Sequence, residues 1–441
     1  MATIQGSDPG NVGRSMTLTA FSYFFVPLAA LVSAPLLAQT LGVSGRGSVA
    51  AATSPLQLAV ALCALGLPQS LVHFVAAWPG VAAQFARRAA LTQVSAGLVG
   101  SAVLVVAAPL LAGDEDDVAN LMFVAAIALP ATLLVGVLRG IASGMHMWAL
   151  VTAERCTTEG LKLLGFVTLW ISGGLTVLSA VVVTAASPIL GGMAYLSVIR
   201  RVRSIHIGEV PSLPTESPTF RDFFTYAFRI WIGSLSGILL TRVDQVIMTP
   251  LSGTEALGYY VIAVNVSDVA LLANNAVRDV TLASDSARND TTRATLSARL
   301  SFVLSAVVGL AVLASSPLWF TKFFGEAFAP AQSLAVLLVT ANVLGVPGSV
   351  AGAVLSSRGF PGRRSASLCV AALVNLCLLV LLVPRLGALG AALATLVGNL
   401  TAANLNIWFM KHIVDIPPRD FYVPRKSDLD AVASLLRRRF R

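Results

Sequence analysis

Charge is what this sequence has least of. Only 12% of its 441 residues are Asp, Glu, Lys or Arg, where a soluble domain carries about a quarter. With 56% hydrophobic residues and a mean hydropathy of +0.81, the chain cannot cover itself with a water-facing surface. Histidine is scarce, with four residues at positions 73, 146, 206 and 412. The four cysteines, at 63, 156, 369 and 377, all lie in apolar runs. Their spacing matches no metal-ligand pattern and implies no pairing, so they read as small core hydrophobes. Walker A, HExxH and nucleophile-elbow patterns are all missing. These absences exclude a zinc hydrolase, a serine hydrolase of that class and a pump that cleaves its own ATP. No cofactor, no metal site and no enzyme activity is expected.

What is present is a succession of apolar runs about 20 residues long, each sufficient to cross a bilayer as a helix. Twelve can be counted, at 16–41, 48–77, 88–112, 119–143, 151–172, 175–199, 225–250, 258–282, 296–320, 331–356, 367–384 and 388–411. The expected fold is an all-α polytopic membrane protein. Arg14 followed by an apolar stretch resembles a secretory leader, but the run to Leu41 is too long for a signal core, so it is kept as the first span.

The formal charge of +9 has a better account than nucleic acid. Sorted by alternate loops, the basic residues fall on one side: Arg87 and Arg88, Arg139, Arg200, Arg201, Arg203 and Arg221, Arg288 and Arg293, Arg358, Arg363 and Arg364, and a tail ending in RRRFR. The other side holds Arg46, Lys322, Arg385 and the acidic GDEDD at 113–117. The positive-inside rule then puts both termini in the cytoplasm of a cell inner (cytoplasmic) membrane protein. The tail SDLDAVASLLRRRFR has the apolar spacing of a short basic amphipathic helix on the inner leaflet, with a disordered segment as the alternative.

One polar, proline-containing loop, HIGEVPSLPTESPTFRDF at 206–223, separates six spans from six. The expected division is a cytoplasmic N-terminal tail (1–15), an N-lobe (16–205), a linker (206–223), a C-lobe (224–411) and a basic tail (412–441). The halves repeat weakly. LGVSGRG follows span one and SGTEALG follows span seven, aligning Gly42 and Gly47 with Gly253 and Gly258 at an offset of 211. Six spans per half leave both halves in the same orientation, related by a pseudo-two-fold axis along the membrane normal.

Polar residues inside apolar spans are the functional candidates, since a charge at bilayer depth costs about 2.5–3.5 kcal/mol even on the lenient scale. Span eight carries Asn265, Asp268, Asn275 and Asp279 on one helical stripe, with Asn274 and Arg278 beside it. This spacing suits a wet interior surface. It also suits interhelical hydrogen bonding. In span seven, Arg242 and Asp244 are two apart and point to different sides, so each needs its own partner. Span two places Gln69 and His73 on one face. Arg155, Glu159 and Lys162 at the start of span five read as self-neutralising pairs.

The segment RVDQVIMTPLSGTEALGYYVIAVNVSD resembles the start of the second half of polysaccharide flippases, with Asp244, Gly253, Leu257, Gly258 and Tyr260 matching the family's acidic residue and hairpin. PRLGALGAALATLVGN at 384–399 is similar to the hairpin between the last two spans, through Gly387, Gly390, Ala391 and Ala392. The wider exporter superfamily also contains multidrug–cation antiporters and peptidoglycan-precursor flippases. The resemblance implies two six-helix bundles, spans one, two, seven and eight lining a central cavity, and transfer of a lipid-linked oligosaccharide. It also implies partners: the lipid-linked oligosaccharide, membrane lipids, a polysaccharide polymerase and glycosyltransferases, with no nucleic acid. Arg242 and Arg278 are the candidate diphosphate partners from burial alone, because arginine binds phosphate bidentately. An Arg-Val pair before the span-seven Asp departs from the family pattern. The cationic first helix of the peptidoglycan-precursor flippases is absent, which argues against that substrate. A cation-coupled drug or small-molecule antiporter is the alternative.

Overall fold

The computed structural model describes residues 9–113, 115–198, 218–288 and 291–423. The polar linker at 206–217 and the basic tail from 424 lie outside these, as do the side chains of Asn275, Arg278 and Asp279. Among the described residues every regular element is helical. The longer ones are α1 (Pro9–Cys63), α2 (Leu67–Ala77), α3 (Ala82–Ala112), α4 (Asp116–Ala126), α5 (Leu129–Gly144), α6 (Trp148–Ile171) and α7 (Val177–Gly191). After the linker come α8 (Phe220–Arg288), α9 (Thr291–Phe324), α10 (Ala329–Ser357), α11 (Pro361–Leu386), α12 (Ala388–Val414) and the short α13 (Arg419–Tyr422).

Two helices are too long for a single crossing. A helix of 69 residues would reach about 100 Å, roughly three bilayer cores. Each long helix is interrupted once, α1 at Gly42 (φ 70°, ψ −172°) and α8 at Gly253 (φ 76°, ψ 174°). Residues with a Cβ avoid this region, so only glycine breaks a helix there without strain. The two breaks have the same backbone conformation and stand at the matched positions of the sequence repeat.

The next pair of matched glycines shows why a side chain is absent there. A Cβ on Gly47 would lie 1.8 Å from the Thr254 carbonyl oxygen, and one on Gly258 would lie 2.2 Å from the Val43 carbonyl oxygen. Val43 and Thr254 are themselves related by the offset of 211. The two hairpins therefore meet in an exchanged, two-fold manner, each glycine seating the other hairpin's carbonyl. Ser44 Oγ and Thr254 Oγ1 add a hydrogen bond of 3.3 Å.

Two expected spans are bent. Span two is split by a 42° bend between α1 and α2, where Leu65 and Gly66 have positive φ and Pro68 occupies the first turn of α2. Span four bends by 41° between α4 and α5, with Pro130 at the start of α5. Proline removes a helical N–H and clashes with the preceding turn. Among the described residues, seven helices are long and apolar enough to cross a membrane, or nine when each bent pair counts as one span. Dividing α1 and α8 at their glycines and adding α6, excluded by its charged first half, gives twelve segments.

The chain forms two compact units, Met1–Leu235 with Gly253–Gly258, and Ser236–Ser252 with Tyr259–Arg441. In unit 1 the core joins Leu71, Phe74, Phe85, Ile141, Tyr195 and Phe223. The first turns of α8 belong to it. Thr219 and Asp222 form a reciprocal cap at the start of α8,. Ser70 Oγ donates to the Phe223 carbonyl at 2.9 Å, and Trp231 Nε1 donates to the Leu62 carbonyl at 2.9 Å. In unit 2 the core of Val350, Val354, Ile407, Met410 and Phe421 is closed by α13. Arg299 Nη1 donates to the Asp420 carbonyl at 2.8 Å and fixes that helix. Small residues let helices approach closely: a Cβ on Gly348 would lie 2.1 Å from Ala403 Cα.

Candidate functional site

Unit 2 gathers most of the polar groups expected to matter. Asp244 is 4% exposed. Its Oδ2 accepts a hydrogen bond from Tyr260 Oη, and its Oδ1 accepts the Gln245 backbone N–H at 2.8 Å. Tyr260, fully buried, also shares a 2.9 Å hydrogen bond with Thr395 Oγ1. A carboxylate at this depth needs such donors, because an unpaired one is far costlier than its pairing returns.

Arg242, two residues earlier, is exposed rather than buried. Asp268 is also exposed, and it lies within Coulombic reach of both Arg242 and Asp244. Both charges are open at the surface of otherwise apolar helices, where facing hydrocarbon would be costly,. Asn265 is half-buried, one turn before Asp268. Beside Asp268, Asn342 Nδ2 donates to Ser267 Oγ at 3.1 Å, and Asn399 Nδ2 donates to Asn342 Oδ1 at 3.3 Å. Thr395 and Asn399 are one turn apart on α12. That helix thus carries both the Asp244–Tyr260 group and the Asn342–Ser267 group.

Gln69 and His73 belong to unit 1 and have different surroundings. His73 stacks on Tyr226, ring centroids 4.7 Å apart. Gln69 lines a cavity of about 360 Å³ together with Arg139 and Arg155. Arg139 forms a bidentate pair with Glu154, at 3.1 Å through Nε and 2.8 Å through Nη2. Glu154 also accepts Tyr195 Oη at 3.4 Å. Lys162 pairs with Glu159 at 2.5 Å. Asn275 and Arg278 lie outside the described side chains.

Several site groups escaped the sequence reading. Tyr260 appears there only as a hairpin match, yet it is the partner of Asp244. A signal existed: residues 244 and 260 lie eight positions either side of Ser252, so a hairpin turning there brings them level. Thr395, Asn342 and Asn399 carried no such signal. Nor did Glu115, which accepts the Thr254 N–H at 3.0 Å and Thr254 Oγ1 at 2.9 Å. Among the described residues no cluster of His, Cys, Asp or Glu could hold a metal ion.

A helical, multi-pass chain with charged groups on apolar helices is the architecture of a polytopic membrane protein. Solved structures share its fold. An inward-facing multidrug resistance MATE family transporter of the MOP superfamily matches with a TM-score of 0.67 at 16% identity, covering 90% of this chain and 98% of that one. The lipid II flippase MurJ in an inward closed conformation matches with a TM-score of 0.67 at 16% identity, over 92% of this chain and 89% of that one. A MOP superfamily transporter from Pyrococcus furiosus, reported with a binding pocket of reverse polarity, gives 0.55 at 14% identity over 90% and 96%. Residues 12–278 match the family described as polysaccharide biosynthesis protein, and the chain belongs to that family. No curated protein sequence matches it.

Proposed function

We propose that this protein flips a polyprenyl-diphosphate-linked oligosaccharide from the inner to the outer leaflet of the cytoplasmic membrane, supplying surface polysaccharide synthesis. The observation that carries this reading is the exposed pair of opposite charges, Arg242 and Asp268, on otherwise apolar helices. A sugar head and diphosphate cannot cross hydrocarbon. A hydrated interior holds the head while the prenyl tail stays in lipid, and rocking of the N-lobe (16–205) against the C-lobe (224–411) exposes it to each side in turn. Arg242 offers a cation to the diphosphate. Asp268 and Asn265 accept from and donate to sugar hydroxyls. Buried Asp244, held by Tyr260, positions the helix that presents Arg242. Both termini lie in the cytoplasm, and the polymerase and glycosyltransferases of the same polysaccharide are the functional partners.

The test is lipid extraction from a strain depleted of this protein, with mass spectrometry of polyprenyl-linked sugars and assignment of their leaflet. Build-up of a finished oligosaccharide on the inner leaflet is the expected result. An unchanged lipid-linked pool overturns the reading and moves the test to ion-coupled drug efflux.

A further inference from the structure

The turn between spans one and two carries a cation, Arg46, on the side of the chain that has few. Arg46 belongs to unit 1 and is half-buried. Its Nε is buried without a hydrogen-bond partner. Among the described residues it forms no ion pair, and no neighbouring charge acts on it. A desolvated guanidinium with no counter-charge is costly, and an anion bound there removes that cost.

The matched hairpin shows what such a turn takes. In both hairpins a helix breaks at a glycine of positive φ, Gly42 or Gly253, and a new helical stretch begins. The first N–H groups of such a stretch have no partner within it, and with the helix dipole they favour an anion. After Gly253 the protein supplies one. Glu115 accepts the Thr254 N–H at 3.0 Å and Thr254 Oγ1 at 2.9 Å. After Gly42 the corresponding residues are Val43, Ser44, Gly45 and Arg46. Among the described residues no carboxylate is bonded to this turn. Helical side chains lean toward the N-terminus, so Arg46, four residues after Gly42, extends over the first turn. One turn thus joins the N–H donors of a helix start to an unpaired guanidinium, where the dipole alone disfavours a cation.

We infer that this hairpin binds a phosphate group, held by the Arg46 guanidinium and the first-turn N–H groups. On the proposed topology it lies at the outer face. The source of the phosphate rests on the flippase reading, in which it is the diphosphate of the delivered lipid-linked substrate. A bilayer phospholipid and free phosphate have the same chemistry and are separated by the experiment.

The full chain is held in dodecyl maltoside, a detergent without phosphate, and treated with phenylglyoxal. Modification of Arg46 is followed by peptide mass spectrometry. Saturating farnesyl diphosphate is expected to slow it about tenfold or more, and farnesol to leave it unchanged. The same protection is expected in Arg242→Ala, which lacks the other proposed diphosphate partner. Protection that disappears in that variant acts from a distance and overturns the inference. So does an Arg46 that reacts at one rate with every probe, or that the reagent never reaches, since a phosphate needs the same access. The probe that protects at the lowest concentration names the source: farnesyl diphosphate the substrate, phosphatidylglycerol the bilayer, inorganic phosphate the free ion. Protection beside an unchanged lipid-linked pool on depletion keeps the site and sinks the flippase reading. A pool that builds up on the inner leaflet, beside an unprotected Arg46, sinks the site alone.

Discussion

At the scale of single residues, the decisive distinction is between charges that are buried and charges that are open. Arg242 and Asp268 are open, and the buried Asp244 keeps its hydrogen bonds from Tyr260 and the Gln245 amide when either is removed. Arg242→Ala and Asp268→Ala are each expected to abolish transport, scored by lipid-linked oligosaccharide sidedness, while membrane levels stay near wild type. Normal transport in either variant removes that residue from the site. Asp244 is the opposite case. Tyr260→Phe keeps the ring but deletes the hydroxyl that donates to the carboxylate, leaving it to backbone donors such as the Gln245 amide. A stability loss of about 1–3 kcal/mol is expected, read as a lower melting temperature in detergent. The Arg139–Glu154 pair should respond asymmetrically. Arg139→Ala strands a carboxylate that is 1% exposed, while Glu154→Ala frees an arginine that is 41% exposed. The first is expected to cost about 3–5 kcal/mol and the second clearly less, compared by thermal unfolding of the two variants. Equal losses would mean that the burial of Glu154 does not set the cost of breaking the pair.

At the scale of elements, the hairpins at Gly42–Gly47 and Gly253–Gly258 matter most. The second is part of unit 1, whereas Ser252 and Tyr259 on either side of it belong to unit 2. Three attachments hold it: the exchanged carbonyl–glycine contacts, the Ser44–Thr254 bond, and Glu115 receiving both donors of Thr254. A Cβ at position 47 collides with backbone, which cannot move aside as a side-chain tip can. Gly47→Ala is therefore expected to undock the hairpin. The check is maleimide labelling of a Thr254→Cys reporter, buried at 3% exposure in the wild type, which should label faster in the Gly47→Ala background. Unchanged labelling would show that the chain relaxes around the added methyl. The glycines were visible in the sequence as a repeat of spacing. Their purpose was not, because the partner of each lies 211 residues away.

At the scale of the whole molecule, the proposed topology has twelve crossings, an even number that would put the two ends on one side. A C-terminal fluorescent-protein fusion is expected to glow and an alkaline phosphatase fusion at the same point to stay inactive, with a phosphatase insertion at 113–117 active. An active C-terminal phosphatase would refute the topology. The sequence by itself determined the class of fold, the order of the spans, the turn positions and the family. Hydropathy and loop charge are sums over neighbouring residues, and a local window reads them completely. It also placed Arg242 and Asp244 on different sides of one helix, since that follows from helical period. Tertiary structure alone decided that Tyr260 and Thr395 hold Asp244, that Glu154 orients Arg139, and that Gln69 and His73, one turn apart, meet a cavity and an aromatic stack respectively. It alone showed where spans two and four bend. Each of these depends on which distant helix packs against which face. That choice is made by the fit of side-chain volumes and buried donors across the bundle, and it leaves no periodic trace in the chain.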